Sequence, residues 1–144
     1  MRILVDADGC PVIDITIRIA KGNDMRCILM CDTAHFFERD GAQTITVSKG
    51  ADAVDFALVN LMQPGDLVIT QDYGLAAMCL SRKAVVINQD GMIYNDDNIG
   101  GLLEQRAMSA KIRRSGGRLS GSAKRTDAQN QAFASALGKL IAEK

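Results

Sequence analysis

The chain contains no tryptophan, a single histidine and only two prolines among its 144 residues. His35 and the four cysteines, Cys10, Cys27, Cys31 and Cys79, follow no zinc-ligand spacing, which argues against a structural or catalytic zinc. The cysteines stand in or beside apolar runs and read as buried free thiols. His35, ahead of Phe36 and Phe37, reads as structural. No stretch reaches the roughly 18 apolar residues of a membrane span, and the start lacks the pattern of a secretory signal. A cytoplasmic protein is expected. A Gly-x-Gly-x-x-Gly after a strand is also missing, which removes the dinucleotide-binding fingerprint. The rings available for stacking are Tyr73, Tyr94, Phe36 and Phe37, so base reading should be poor. Length and an apolar content of 47% fit one domain, residues 1–144, with a real core.

What is present is unevenly distributed. Residues 1–100 carry eight Lys and Arg against fourteen Asp and Glu, and residues 101–144 carry nine against three. This segregation suits an acidic site on the body beside a basic surface near the carboxyl terminus, and hence a polyanion held next to a cation.

The opening run Ile3-Leu4-Val5 stops at Asp6-Ala7-Asp8-Gly9-Cys10-Pro11. A strand covered on both faces has this continuous apolar character. Alternation would send Asp6 and Asp8 to one side at the carboxyl end of a strand, where open α/β sheets bind ligands.

Further along, Ile13, Ile15, Ile17 and Ile19 alternate as in a strand, yet Pro11 before them and Gly22 after them suit a helix. A helix is preferred, because parallel strands need a crossover. Residues 25–30 read as a buried strand, 32–42 as loop with a short helical turn around the two Phe, and 44–47 as a brief strand. A helix over 51–62 ends at Pro64-Gly65, and its first turn carries Asp52 and Asp55 on one face.

Asp66-Leu-Val-Ile-Thr-Gln-Asp72 repeats the opening logic of an apolar strand followed by an acid. A helix then covers 73–80 and another strand 84–88. Asp66, Asp90, Asp96 and Asp97 read as turn or loop residues. Asn98 is placed to cap a helix with an inward stripe of Ile99, Leu102, Leu103, Ala107 and Ala110. A flexible basic loop over about 111–125 leads to a capping box, Thr126 with Gln129, that opens a final helix over about 126–142. The alternation of strands and helices predicts an α/β, Rossmann-like three-layer fold with a mainly parallel sheet and C-terminal helices.

Asp6, Asp8, Asp52, Asp55 and Asp72 therefore converge on one expected site. Crowded carboxylates raise one another's pKa unless a cation neutralises them, and with no His or Cys set available, Mg²⁺ or Mn²⁺ is the natural occupant. Plainer readings stand beside this one. Asp8 can end a strand and cap a helix, and Asp52 can serve a helix dipole.

At these residues the chain resembles a known family. Val-Asp6-Ala-Asp8-Gly-Cys-Pro-Val12, Lys-Gly-Ala-Asp52-Ala-Val-Asp55, Pro-Gly-Asp66-Leu-Val-Ile-Thr-Gln-Asp72-Tyr-Gly-Leu-Ala76, Asn98-Ile99 and the Arg-rich stretch ending in Thr126-Asp127 look like the bacterial YaiI/YqxD family of uncharacterised proteins, nearly end to end. That family is grouped with PIN-like and NYN-like nuclease domains. The resemblance implies a PIN-like fold, with Asp6 as the first-strand acid and Asp72 as the acid after the fourth strand's Thr, while either Asp52 or Asp55 fills the place of the helix acid. Gly9 and Gly74 stand where this family more often has Ala and Pro.

The implied activity is metal-assisted hydrolysis of phosphodiester bonds, single-stranded RNA being the expected substrate, with Asp8 or Asp55 orienting the attacking water. Arg106, Lys111, Arg113, Arg114, Arg118, Lys124 and Arg125 would contact phosphates without sequence preference. Two rivals come from other classes. A haloacid-dehalogenase-type phosphatase would use Asp6 of the Asp-x-Asp-Gly run as nucleophile. A non-catalytic RNA-binding or ribosome-associated module would keep the fold without cutting.

Overall fold

The computed structural model describes residues 1–33, 38–48, 50, 52–116 and 124–143. In chain order the elements are β1 (Arg2–Asp6), α1 (Ile13–Gly22), β2 (Arg26–Asp32), β3 (Gln43–Val47), α2 (Ala53–Leu61), β4 (Leu67–Ile69), α3 (Tyr73–Ser81), β5 (Val85–Ile87), β6 (Ile93–Tyr94), α4 (Ile99–Arg114) and α5 (Asp127–Ala142). One six-stranded sheet has the order β3-β2-β1-β4-β5-β6. Strands β1 to β5 pair in parallel, and β6 pairs antiparallel with β5. This is the expected α/β, Rossmann-like architecture.

Both faces of the sheet are covered, which accounts for the continuous apolar runs. Ile3 and Val5 point to one side with Cys27, Leu29, Cys31, Leu67 and Ile69, where α1 supplies Ile13 and Ile17, and α5 supplies Phe133, Leu137 and Leu140. Leu4, Ile28, Met30, Val68 and Val86 point to the other, against Leu58 of α2 and Leu75, Ala76 and Cys79 of α3. Full burial of a side chain such as Phe133 contributes about 2–3 kcal/mol.

The isoleucine-rich segment is helical. Ile13, Thr16, Ile17 and Ala20 are its buried residues, a spacing of three and four, and Ile15 and Ile19 fit the same helix as partly buried flanks. The cysteines are free thiols, three of them buried and Cys10 half-buried. Burial pushes the thiols of Cys10 and Cys27 up to about 11 and that of Cys79 up to about 12, which keeps them unreactive.

Several boundaries differ from expectation. Strand β1 ends at Asp6, so Asp8 sits in the following turn rather than two residues along a strand. Helix α2 begins at Ala53, with Asp52 at its N-cap in a left-handed conformation (φ 61°), so Asp52 is not a first-turn residue. Helix α4 runs through Lys111, Arg113 and Arg114, so the start of the expected basic loop is helical. Its supposed inward stripe is shallow. None of the described residues of α4 is buried, and Ala107 is exposed. The side chain of Asn98 turns backward, accepting from the Asn95 amide and donating to the Ile93 carbonyl, rather than capping the helix. The expected helical turn around Phe36 and Phe37, His35, and the middle of the basic segment lie outside the described residues.

Candidate metal and phosphate site

In the strand order β3-β2-β1-β4-β5-β6, the chain winds outward from β1 in one direction and from β4 in the other. The carboxyl ends of β1 and β4 thus flank the switch point, where open α/β sheets form a crevice. Asp6 closes β1, and Thr70 to Asp72 follow β4.

Thr70 ties the two acids together. Its hydroxyl donates to Asp6 Oδ2 at 2.9 Å and accepts the Asp72 amide at 3.0 Å, while its carbonyl accepts from the Tyr94 hydroxyl at 3.2 Å. Asp72 then caps α3, its Oδ1 accepting the Leu75 amide at 3.1 Å. The turn after β1 is fastened from the other side, Gln71 Nε2 donating to the Gly9 carbonyl at 3.0 Å. Gly9 has φ 71°, a conformation that costs glycine little.

A cleft of about 620 Å³ opens over this edge, lined by Asp6, Asp8, Gly9, Gln71, Asp72, Tyr73, Arg106 and Arg113. Beside it an acidic hollow of about 250 Å³ collects Asp6, Asp8, Asp32, Asp52, Asp55 and Asp72. All five acids expected from the sequence reach this region. Asp32 joins them, its amide donating to Asp8 Oδ2 at 3.4 Å. The signal was present, since β2 is another apolar run that stops at an acid. Thr70 and Gln71 were also missed, because their partners are remote in sequence.

Electrostatics mark two of the acids. Burial, opposed by the Thr70 hydrogen bond and reinforced by Asp72 and Asp8, raises Asp6 to about 6. Burial together with Asp72, Asp6 and Asp52 raises Asp55 to about 6, against the pull of Arg106. Groups so perturbed in a cleft are candidates for a functional role.

The basic residues divide. Arg106 Nη1 lies 3.4 Å from Asp72 Oδ1, and Arg113 lines the same cleft. Lys111 and Arg114 line a different hollow of about 720 Å³ on α4, with Glu104 and Met108. That hollow is the larger, but it contains none of the strand-end acids. Lys124 is exposed, and Arg118 lies outside the described residues. Arg125 is committed elsewhere: it donates to Asp90 at 2.7 Å, to Asn130 at 2.7 Å and to the Gln89 carbonyl. It joins the turn before β6 to α5. Asp90 remains a turn residue, as expected.

Asp66 closes the turn that begins at Gln63, its amide donating to the Gln63 carbonyl at 3.0 Å, and does more than the turn requires. It is 4% exposed and pairs with Arg2 at 2.7 Å.

Comparison with known proteins agrees with the sequence resemblance. Residues 4–143 match the model of the uncharacterised YaiI/YqxD family. A UPF0178 protein of Exiguobacterium sibiricum is 51% identical over 144 residues, covering 100% of this chain and 99% of that protein. One from Ruminiclostridium cellulolyticum is 48% identical over 137 residues, 95% of this chain and 90% of its own, and one from Clostridium kluyveri is 43% identical over 141, 98% and 93% respectively. No solved structure matches the chain. Among the described residues, no helix is long and apolar enough to cross a membrane.

Proposed function

The chain belongs to the uncharacterised YaiI/YqxD family, and we propose that it is a divalent-metal-dependent nuclease hydrolysing phosphodiester bonds, with single-stranded RNA as substrate. The observation that carries this reading is the opposition of charge across one cleft: Asp6, Asp8 and Asp72 on the sheet edge, Arg106 and Arg113 from α4.

The donors fit Mg²⁺ or Mn²⁺. They are hard oxygens, and Asp6 is held near half-protonation at pH 6 by burial and like charges, a cost that a cation relieves. Among the described residues, no three Asp, Glu, His or Cys side chains form a ready-made cage. Mg²⁺ commonly takes one or two carboxylates and completes its shell with water and substrate phosphate. Asp6 and Asp72 are the residues to hold it. When bound, the ion supplies Lewis acidity and a water of lowered pKa. The chain's own part is to fix Asp6 and Asp72 through Thr70, to offer Asp8 and Asp55 as acceptors that orient the water, and to hold phosphates with Arg106 and Arg113.

The test is Mn²⁺ and Mg²⁺ binding by calorimetry on the native chain and on Asp6→Asn, with cleavage of end-labelled single-stranded RNA followed in parallel. Metal-dependent cutting that falls on the order of a hundredfold in the variant is expected. Cutting or binding indifferent to metal and unchanged in the variant refutes the reading.

A second reading, nucleic-acid binding without cutting, draws support from the exposed and basic α4. Its mark is affinity that falls steeply with salt and requires no metal. The covalent phosphatase reading has less support, because its nucleophile Asp6 has one oxygen engaged by Thr70 and is half neutral near pH 6.

A further inference from the structure

Helix α4 does more than present cations at the rim. Arg106 reaches the acid floor, its Nη1 3.4 Å from Asp72 Oδ1. That carboxylate oxygen also accepts the Leu75 amide, so the guanidinium shares it with the start of α3. Arg106 and Asp72 are moreover the two residues common to the main cleft and to a neighbouring hollow of about 310 Å³ that contains Asp52, Asp55 and Phe56. The ion pair borders both spaces.

The pair packs closely on Gly74. A Cβ there would meet Arg106 Nη1 at 3.1 Å and Asp72 Oδ1 at 3.2 Å. With 58% of the Arg106 side chain and 33% of that of Asp72 exposed, the pair is weak enough to be exchanged.

We propose that Arg106 and a divalent cation compete for Asp72, so that the cation's arrival releases the guanidinium to a substrate phosphate across the cleft. This rests on the metal-dependent reading above. One side chain then couples two events: the charge that neutralises Asp72 before loading becomes the charge that grips the phosphate after it. Arg113 lines the same cleft and serves as the control for charge alone.

The test uses Mn²⁺ alone, titrated calorimetrically into the full chain. R106Q should bind Mn²⁺ about three- to fivefold more tightly than the native chain, the worth of a part-exposed ion pair. R113Q should change affinity less than twofold. Native-like affinity in R106Q, or equal tightening in R113Q, overturns the competition while leaving the metal site in place. Absence of Mn²⁺ binding in the native chain instead removes the metal-dependent reading itself.

Discussion

The two ends of the sheet each hold a carboxylate, and they are treated in opposite ways. At the amino end of β4, Asp66 receives the Arg2 amide and guanidinium and the Gln63 amide. Burial disfavours its charge, but these donors outweigh it, and its carboxyl sits below the ordinary range. At the carboxyl end of β1, Asp6 has Thr70 as a donor and is crowded by Asp72 and Asp8, and it rises to about 6. A carboxylate given its full set of donors strengthens the fold. One given too few is held at a cost.

Removing each acid should therefore have opposite signs. Asp66→Asn leaves the Arg2 guanidinium facing a neutral partner and should cost about 3 kcal/mol, read from urea unfolding. Asp6→Asn, measured in the presence of a chelator, should stabilise the chain by about 2 kcal/mol at pH 7. The gain should vanish by pH 4. The folded chain holds the Asp6 proton more tightly than the unfolded one, so native stability falls as pH climbs from about 4 to 6, and the variant lacks that slope. Asp55, also raised to about 6, contributes with the same sign. Asp66 works in reverse: its stabilisation is complete above the unfolded carboxyl value and is lost as pH falls below it. An Asp6→Asn chain no more stable than the native at pH 7 would erase the contrast.

The smallest effect sharpens it further. Thr70→Val removes the donor to Asp6 and the acceptor for the Asp72 amide, and should cost about 1 kcal/mol. The Asp6 carboxyl, followed by NMR titration, should move above about 6. An unchanged titration would mean that the hydroxyl does not steady the charge.

Much of this was legible beforehand, for a definite reason. Apolar runs that stop at an acid announced β1 with Asp6 and β4 with Asp72, because burial on both faces writes itself into consecutive residues. Thr126 and Gln129 announced α5 through a local capping box, and both halves of that box are present. What escaped depends on neighbours brought together by strand order. Arg2 meets Asp66, and Thr70 meets Asp6, each across 64 residues, and no local pattern reports such a meeting. The two-residue β6 was too short to show periodicity. Lys111, Arg113 and Arg114 have the composition of a solvated loop, yet all three extend the last turns of α4.

The switch point also has a consequence in time. Strands β1, β2 and β3 can pair within the first third of the chain, whereas β1 meets β4 only after a loop of some sixty residues has closed. Closing such a loop is an entropic toll on long-range pairing. Asp72 joins Asp6 and Asp8 only where β4 pairs with β1. The acidic edge is thus completed by the longest-range strand pairing of the sheet.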